Sequence, residues 1–579
     1  MPAPRIAAEM IQAWFARREN STPSPWLLAS LLICCLIPRA AMALKLQAVC
    51  NDAVFYVDLA RHYEQGEVAA GLGRLGLNLY PPVLAVLHHL GAGWEDAGKW
   101  WGVAVASLAV LPLYGWMRRQ FDGRTAFAGA ILYAFHPKLV EWSPELLRDP
   151  TFWFLWTLAL YSSWRAVEEL TLRWYLIAGL AIALAAHTRF EGWFLYLPLA
   201  AWSVARMVRG EAAGVAWRRI AAGVLLCVVV SPLLVVLINV TLLRGLPRWE
   251  LGNFERLDYV AQWLEATWST ASSPTGPAPE VNASDDRLSP GERTPSRGAK
   301  GDKQATPLQA TAPIQPSAED PTVRMPVARM ARLYGNALRR GFGALFGLAW
   351  LVGIVVGRRR LLRADHAILF LVAACVAAAA WIHLWYGQAT SSRYFLAIVL
   401  LACPCSATGG LWVCERLAAV PSGLQSIRWR QLAATAAVVL ATVAAGVGES
   451  LADRHDGRSR EAELGRWLLA EFGPKSRLAT CGPMPRIGFY AQTTPSVLSS
   501  ADAASIDLRG EPRFDAVVAL RSNANEPWLE PLVDRMRKSG YRTVDFRQLP
   551  GGYKWTDLVV LLRHPAATGL ARDEGGQIP

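Results

Sequence analysis

The sequence predicts a polytopic α-helical membrane protein, with about 11 spans and a small soluble α/β domain at its C-terminal end. Three observations lead there. Apolar runs of roughly 20 residues, long enough to cross a bilayer, recur through the first 450 positions. Arginines gather in every second loop between those runs. Residues 451–579 instead alternate short apolar strands with amphipathic helical patterns. Composition agrees: 53% of the 579 residues are hydrophobic, 25 are tryptophan, and the mean hydropathy is +0.22.

The runs expected to span are 26–46, 98–117, 125–141, 150–168, 174–188, 192–209, 220–241, 341–357, 365–385, 394–415 and 432–449. The stretch 79–91 is too short to cross and reads as a segment that dips into or lies along the interface. Arg17 and Arg18 precede the first run; Arg118, Arg119 and Arg124 follow the second; Arg165 and Arg173 follow the fourth. Arg206, Arg209, Arg218 and Arg219, then Arg358, Arg359, Arg360 and Arg363, then Arg416, Arg428 and Arg430 continue the alternation. Positive residues favour the cytoplasmic side, so these loops face inward and the N-terminus is cytoplasmic. The odd span count puts residues 451–579 on the opposite side, together with the outer loops 47–97 and 242–340. Within the second loop, Ser272–Val323 is too rich in Pro, Ser, Thr, Ala and Gly to fold alone. Residues 1–450 thus form the membrane domain, partly disordered in that loop, and 451–579 an accessory α/β domain.

In that accessory region Glu461–Phe472 reads as a helix closed by Gly473-Pro474, and Pro531–Lys538 as a helix before Gly540. Arg477–Cys481, Ala516–Leu520, Thr543–Phe546 and Leu558–Leu562 read as strands. It holds no G-x-G-x-x-G, no P-loop and no nucleophile triad. The net charge of +13 does not point to nucleic acid, because its arginines sit in short loops between apolar runs. Of nine cysteines, seven lie in or beside apolar runs, and Cys403-Pro-Cys405 has the wrong spacing for a redox pair. The N-terminal stretch does not read as a cleavable signal.

Five groups of residues carry candidate chemistry, all on the outer side. In Asn51–Tyr63, Asn51 is a good helix N-cap and Asp52 falls in the first turn, where the helix dipole favours a carboxylate. Asp52, Tyr56, Leu59 and Tyr63 then share one face. The same pattern also suits a plain interfacial helix. The segment His136–Asp149 packs Lys138, Glu141, Glu145, Arg148 and Asp149 together at the membrane edge. Glu145 or Asp149 offers a carboxylate to orient a hydroxyl or bind a divalent cation, and Lys138 or Arg148 a cation to hold phosphate. A solvated loop with Glu145 and Arg148 paired is the alternative. The turn His187–Gly192 brings Arg189 and Glu191 to the boundary, either as a structural ion pair or as cavity-lining groups. Arg393, before Tyr394, breaks the positive-inside pattern and therefore needs a specific partner; a guanidinium there suits a phosphate. Tyr80-Pro81-Pro82 shapes an interfacial hairpin, and His88-His89 lacks a third ligand for a metal.

Taken in order, these motifs resemble the GT-C superfamily of lipid-phosphate-sugar-dependent glycosyltransferases, in its bacterial protein-mannosyltransferase and aminoarabinose-transferase-like branch. The resemblance covers about residues 26–450. It departs where the mannosyltransferases carry adjacent Asp-Glu and this chain has Asn51-Asp52-Ala53. It implies an inverting transfer, at the periplasmic face of a bacterial inner membrane, from a polyprenyl-phosphate sugar to a protein, lipid or glycan acceptor. Asp52 is then the general base, with Glu145 and Asp149 as further catalytic candidates. Lys138, Arg148, Arg189 and Arg393 would hold the donor phosphate, and Tyr56, Tyr80, Glu191 and Tyr394 would line the cavity. No cofactor is implied, and no metal ligands are assigned, although related oligosaccharide transferases use a divalent cation. A lipid or sugar transporter or flippase is the main alternative, but its ionisable groups belong at mid-membrane, where these runs have almost no acids. A non-catalytic envelope assembly protein working through residues 451–579 is a further alternative.

Overall fold

The computed structural model describes residues 23–72, 75–208, 215–244, 326–387, 390–419, 444, 448, 456–474, 476–481, 484–498, 514–520, 528–544 and 558–563. The first helix, α1 (Pro25–Lys45), starts with a proline, whose fixed φ suits the first helical position. It is followed by α2 (Asn51–Glu64), α3 (Val68–Leu72) and α4 (Tyr80–His89), which together form the connection after the first helix. Helices α5 (Trp94–Leu108) and α6 (Val110–Gln120) run on almost continuously, and α7 (Gly123–Phe135) turns back, capped by the Asp122 carboxylate, which accepts from the Thr125 amide at 2.8 Å. Then come α8 (Pro137–Trp142), α9 (Asp149–Glu169), α10 (Leu172–Thr188), a 3-10 turn (Phe190–Leu195), α11 (Tyr196–Val208) and α12 (Val215–Thr241). The bundle closes with α13 (Val327–Phe342), α14 (Ala344–Leu361), α15 (Ala364–Gly387), a second 3-10 turn (Ser392–Phe395) and α16 (Leu396–Ala419).

Ten of the eleven expected spans fall on helices; 432–449 lies almost wholly outside the described residues. By length and composition five described helices can cross a bilayer, or six if α13 and α14, bent by 90°, count as one. Helix α7 has 13 residues, roughly 20 Å, too short for a hydrocarbon core, and α9 carries Asp149, Arg165, Glu168 and Glu169. Shorter helices inside a bundle need no full apolar run, because neighbouring protein covers them. Residues 245–325, which include Ser272–Val323, lie outside the described residues.

Helix α9 is the centre of the bundle, packed against α5, α6, α10 and α11. Its Phe152, Trp153, Trp156 and Leu160 are buried with Trp116 and Tyr133. Facing outward, Leu225 and Leu233 of α12 and Leu348 and Val355 of α14 are exposed, the pattern of a lipid-facing belt. The Arg-rich loops meet one another at one end of the bundle. Arg119 pairs with Glu168, Arg360 donates to Asp122 at 3.2 Å, and Arg206 donates to the Val167 carbonyl. The expected outer loops gather at the other end.

Beyond the bundle, α17 (Asp456–Phe472), β1 (Leu478–Cys481), α18 (Pro485–Tyr490), β2 (Ser496–Leu498), β3 (Ala516–Leu520), α19 (Leu529–Lys538), β4 (Tyr541–Thr543) and β5 (Leu558–Arg563) form an α/β unit. The sheet order is β2-β1-β3-β5-β4. Strands β2, β1 and β3 run parallel, while β5 is antiparallel to both β3 and β4. The expected helix ends at Gly473 and Gly540 hold, both at positive φ. The expected Thr543–Phe546 strand instead ends at Thr543, and α18 and β2 were not foreseen, being too short to show a period.

Candidate functional site

Helix α2 starts one residue earlier than its sequence suggests. Cys50, in extended conformation, is the N-cap, and Asn51 is the first helical residue with no capping bond. Packing overrides capping preference here: Ala48, Val49 and Cys50 are buried in an apolar cluster with Tyr56, Tyr80 and Leu146, which fixes the extended lead-in. Asp52 keeps its expected place in the first turn, and Tyr56 and Leu59 are buried behind it.

Arg393 donates through a terminal guanidinium nitrogen to Asp52 Oδ2. It stands in the 3-10 turn before α16, and its guanidinium lies 5.3 Å from the Tyr394 ring. This is the partner that its breach of the positive-inside pattern demanded. Asp149, Tyr394 and Asp52 all act electrostatically on its charge. Its Nε is buried without a hydrogen-bond partner among the described residues.

Asp149 is the first residue of α9, where the helix dipole favours its charge. Its Oδ1 accepts from Arg189 at 2.6 Å. Arg189 also grips Glu191 with two hydrogen bonds, at 2.7 and 3.3 Å. Burial raises the Glu191 pKa, but the Arg189 charge and its hydrogen bonds overcome that and hold the carboxyl near 2. The turn needs Gly192, where a Cβ would lie 2.3 Å from the Ala186 nitrogen. The Arg189 guanidinium stacks against Phe152 and Tyr394, at 5.7 and 5.3 Å from their ring centroids.

Tyr56 joins the two halves. Its ring meets Tyr80 edge-on at 5.2 Å, and Arg148, Arg393, Asp52 and Asp149 all act electrostatically on its hydroxyl. Burial raises the pKa of both tyrosines, so both hydroxyls keep their protons and can donate. The Tyr80 hydroxyl and one terminal nitrogen of Arg148 are buried without a partner among the described residues. Three orphaned donors, from Tyr80, Arg148 and Arg393, therefore surround Tyr56 and match an anion that accepts hydrogen bonds.

The structure therefore brings together Asp52, Tyr56, Tyr80, Arg148, Asp149, Arg189, Glu191, Arg393 and Tyr394. Two candidates are engaged elsewhere: Lys138 pairs with Glu141 at 2.5 Å, and Glu145 accepts from Arg458 of α17 at 2.6 Å. The alternative pairing of Glu145 with Arg148 is not what forms. His88 hydrogen-bonds Glu64 at 2.8 Å and stacks on Trp94 at 3.7 Å. Among the described residues no three His, Cys, Asp or Glu side chains gather as a metal site.

Three positioning residues escaped the sequence reading. Arg39, buried in α1, donates to Ser143 Oγ at 3.1 Å and to the Cys35 and Ala134 carbonyls at 2.9 and 3.0 Å, fixing the loop that leads to Arg148. A charge inside an apolar run was the available signal. Gly102 of α5 lets that loop press close, since a Cβ there would lie 2.1 Å from the Ser143 carbonyl oxygen. Asn78 accepts from the Tyr80 amide at 3.0 Å and donates to the Thr188 carbonyl at 3.2 Å, tying α4 to the end of α10.

Residues 80–236 match the family model of dolichyl-phosphate-mannose-protein mannosyltransferases. Among solved structures the chain is similar to ArnT from Cupriavidus metallidurans bound to undecaprenyl phosphate, with 13% identity and a TM-score of 0.52, over 94% of this chain and 99% of that one. It is also similar to the Archaeoglobus fulgidus oligosaccharyltransferase in complex with zinc and sulfate, with 14% identity and a TM-score of 0.50, over 85% of this chain and 68% of that one. At these identities the likeness is one of fold. No curated protein matches the sequence.

Proposed function

We propose that the chain, whose residues 80–236 match the mannosyltransferase family model and whose fold is similar to that of ArnT, is an inverting glycosyltransferase of the GT-C superfamily. It moves a sugar from a polyprenyl-phosphate donor to an acceptor at the outer face of the membrane. The observation that carries this reading is the juxtaposition of Asp52, at a helix N-terminus, with buried donors of Arg393, Arg148 and Tyr80 that have no partner among the described residues.

In this reading Asp52 takes the proton of the acceptor hydroxyl as its oxygen attacks the anomeric carbon. The bond from that carbon to the phosphate oxygen breaks on the opposite face, which inverts the configuration. The lipid phosphate leaves as an anion, and Arg393, Arg148 and the Tyr80 hydroxyl stabilise it where its charge grows. Arg393 bridges base and leaving group, so both lie within reach of one guanidinium. Arg189 has a different part from the one its sequence suggested. Held between Asp149 and Glu191, it supports the wall of the site and leaves phosphate binding to Arg393 and Arg148. Tyr56 and Tyr394 supply aromatic surface, to which a sugar ring is suited. Lys138, paired with Glu141, acts on the loop and not on the donor.

The test is transfer of radiolabelled sugar from a panel of polyprenyl-phosphate sugars, in membranes containing the wild type or Asp52→Asn. Transfer or donor hydrolysis by the wild type that disappears in the variant supports the reading. If neither protein consumes any donor, the transferase reading fails, and a lipid-flipping assay takes its place.

A further inference from the structure

Two segments lead into the site, and the α/β unit holds both. One is Gln47–Cys50, the lead-in to Asp52. There the Val49 amide donates to the Tyr490 hydroxyl at 3.0 Å, and Arg466 donates to the Gln47 carbonyl at 3.1 Å. Arg466 also stacks 4.6 Å from the Tyr490 ring centroid. The other is the loop before α9, where Arg458 grips Glu145 at 2.6 Å, three residues before Arg148 and four before Asp149. Both contacts come from one rigid corner, because Arg486 of α18 forms two 2.8 Å hydrogen bonds to Glu461 of α17.

The Glu145 side chain is only 1% exposed. Burial raises its pKa, and the Arg458 charge and hydrogen bond oppose the rise; Glu141 of α8, the Cys50 thiol and the Tyr80 hydroxyl face it from the other sides. A carboxylate at that depth needs its cation. Withdrawing Arg458 would leave an uncompensated buried charge, which is strongly destabilising, so this contact does not suit a part that comes and goes. Ala462 and Tyr490 are buried in the same apolar cluster as Tyr56, Tyr80, Leu146 and Leu147.

We propose that the C-terminal α/β unit is a permanent wall of the active centre, in which Arg458 is a positioning residue. It fixes Glu145, and through it Arg148 and Asp149, against the Asp52 segment that Tyr490 and Arg466 hold. The inference rests on the transferase reading for its kinetic consequence, while the clamp itself is a statement about the fold.

The experiment uses the full chain in lipid nanodiscs, as wild type, Arg458→Met, Arg458→Lys and the double variant Arg458→Met with Glu145→Gln. Two measurements are made: hydrogen exchange in peptides covering 47–52 and 143–149 without donor, and kcat and KM for the polyprenyl-phosphate sugar. Arg458→Met is expected to speed exchange over 143–149 about tenfold, because the loop opens locally without its anchor. It is also expected to lower kcat by about tenfold or more with donor KM nearly unchanged, since misplaced groups lose rate before binding. Arg458→Lys recovers part of kcat. The double variant, free of the orphaned charge, folds as the wild type does yet keeps the low kcat. Unchanged exchange at 143–149, or wild-type kcat in the double variant, overturns the proposal. Should Arg458→Met fail to fold, the lysine and double variants carry the same test. If the wild type transfers no sugar, the transferase reading has failed, and the exchange measurement still decides the clamp.

Discussion

Replacing Asp52 with Asn separates catalysis from stability more sharply than any other change in this site. The substitution keeps the side-chain volume and removes the charge and the basicity. The Asp52 side chain is 44% exposed, so its pair with Arg393 is screened and contributes about 0–1 kcal/mol to folding. Arg393 is not stranded by the change, because Asp149 and the Tyr394 ring still act on it. A general base contributes about 10²–10⁴ in rate, or roughly 3–5.5 kcal/mol of barrier. Asp52→Asn should therefore lower transfer by two to four orders of magnitude, while the melting temperature in detergent moves little (by roughly the shift that 1 kcal/mol produces). The assay is radiolabelled transfer per mole of monodisperse protein, with thermal unfolding of the same preparation. Transfer within about threefold of wild type would refute the role, since a base is worth at least about a hundredfold. So would a loss of activity that merely tracks the loss of folded protein. Asp52 would then be a helix-dipole residue, and Asp149 the next candidate.

The opposite balance is expected at Arg189. Asp149, whose side chain is 2% exposed, and Glu191 would both lose their cation in Arg189→Met, at a cost of about 3–5 kcal/mol. Thermal unfolding checks this, and adding Asp149→Asn and Glu191→Gln should restore most of the loss; a single variant as stable as wild type would contradict it. For Glu191 the sign follows from a folded pKa depressed from 4.5 to about 2. Its stabilising contribution is present above the ordinary carboxylate value and is lost as pH falls through about 2. Glu191→Gln should accordingly flatten the acid limb of stability between 4.5 and about 2 and leave its slope above pH 5 unchanged, as measured by chemical unfolding across pH. Gly192→Ala would place a Cβ 2.3 Å from the Ala186 nitrogen, so the turn carrying Arg189 and Glu191 must shift. An overpacking cost of about 1–3 kcal/mol and a marked loss of transfer are expected, and an unperturbed variant would show that the turn is not tight.

Much of the bundle was legible in the chain because hydrophobic length and arginine placement are local, one-dimensional signals. The apolar runs, the helical turn at Asp52 and the ends of α17 and α19 follow from neighbours in sequence. So does the suspicion attached to Arg393, a cation that falls outside the alternation of Arg-rich loops. Length and composition alone do not mark shorter helices such as α7 as spans, since a run of letters cannot show what covers it. Cys50 and not Asn51 is the N-cap because buried packing of Ala48 and Val49 outweighs the capping preference of Asn51. Pairing lay beyond sequence altogether. Asp52 and Arg393 are 341 residues apart, and Glu145 and Arg458 are 313 apart. Which charge meets which depends on how helices pack, and that in turn depends on contacts such as Gly102 against Ser143, where the absence of one methyl group lets a loop approach. The sequence by itself thus determined where the membrane helices run and which residue types gather at one end. Only the tertiary structure decided that Arg189 is held between two carboxylates, that Arg393 lies on Asp52, and that the α/β unit reaches Glu145. The physical reason is range: hydrophobicity and helix signals act within a few turns of the chain, whereas ion pairs are made by whatever the fold brings within about 3 Å.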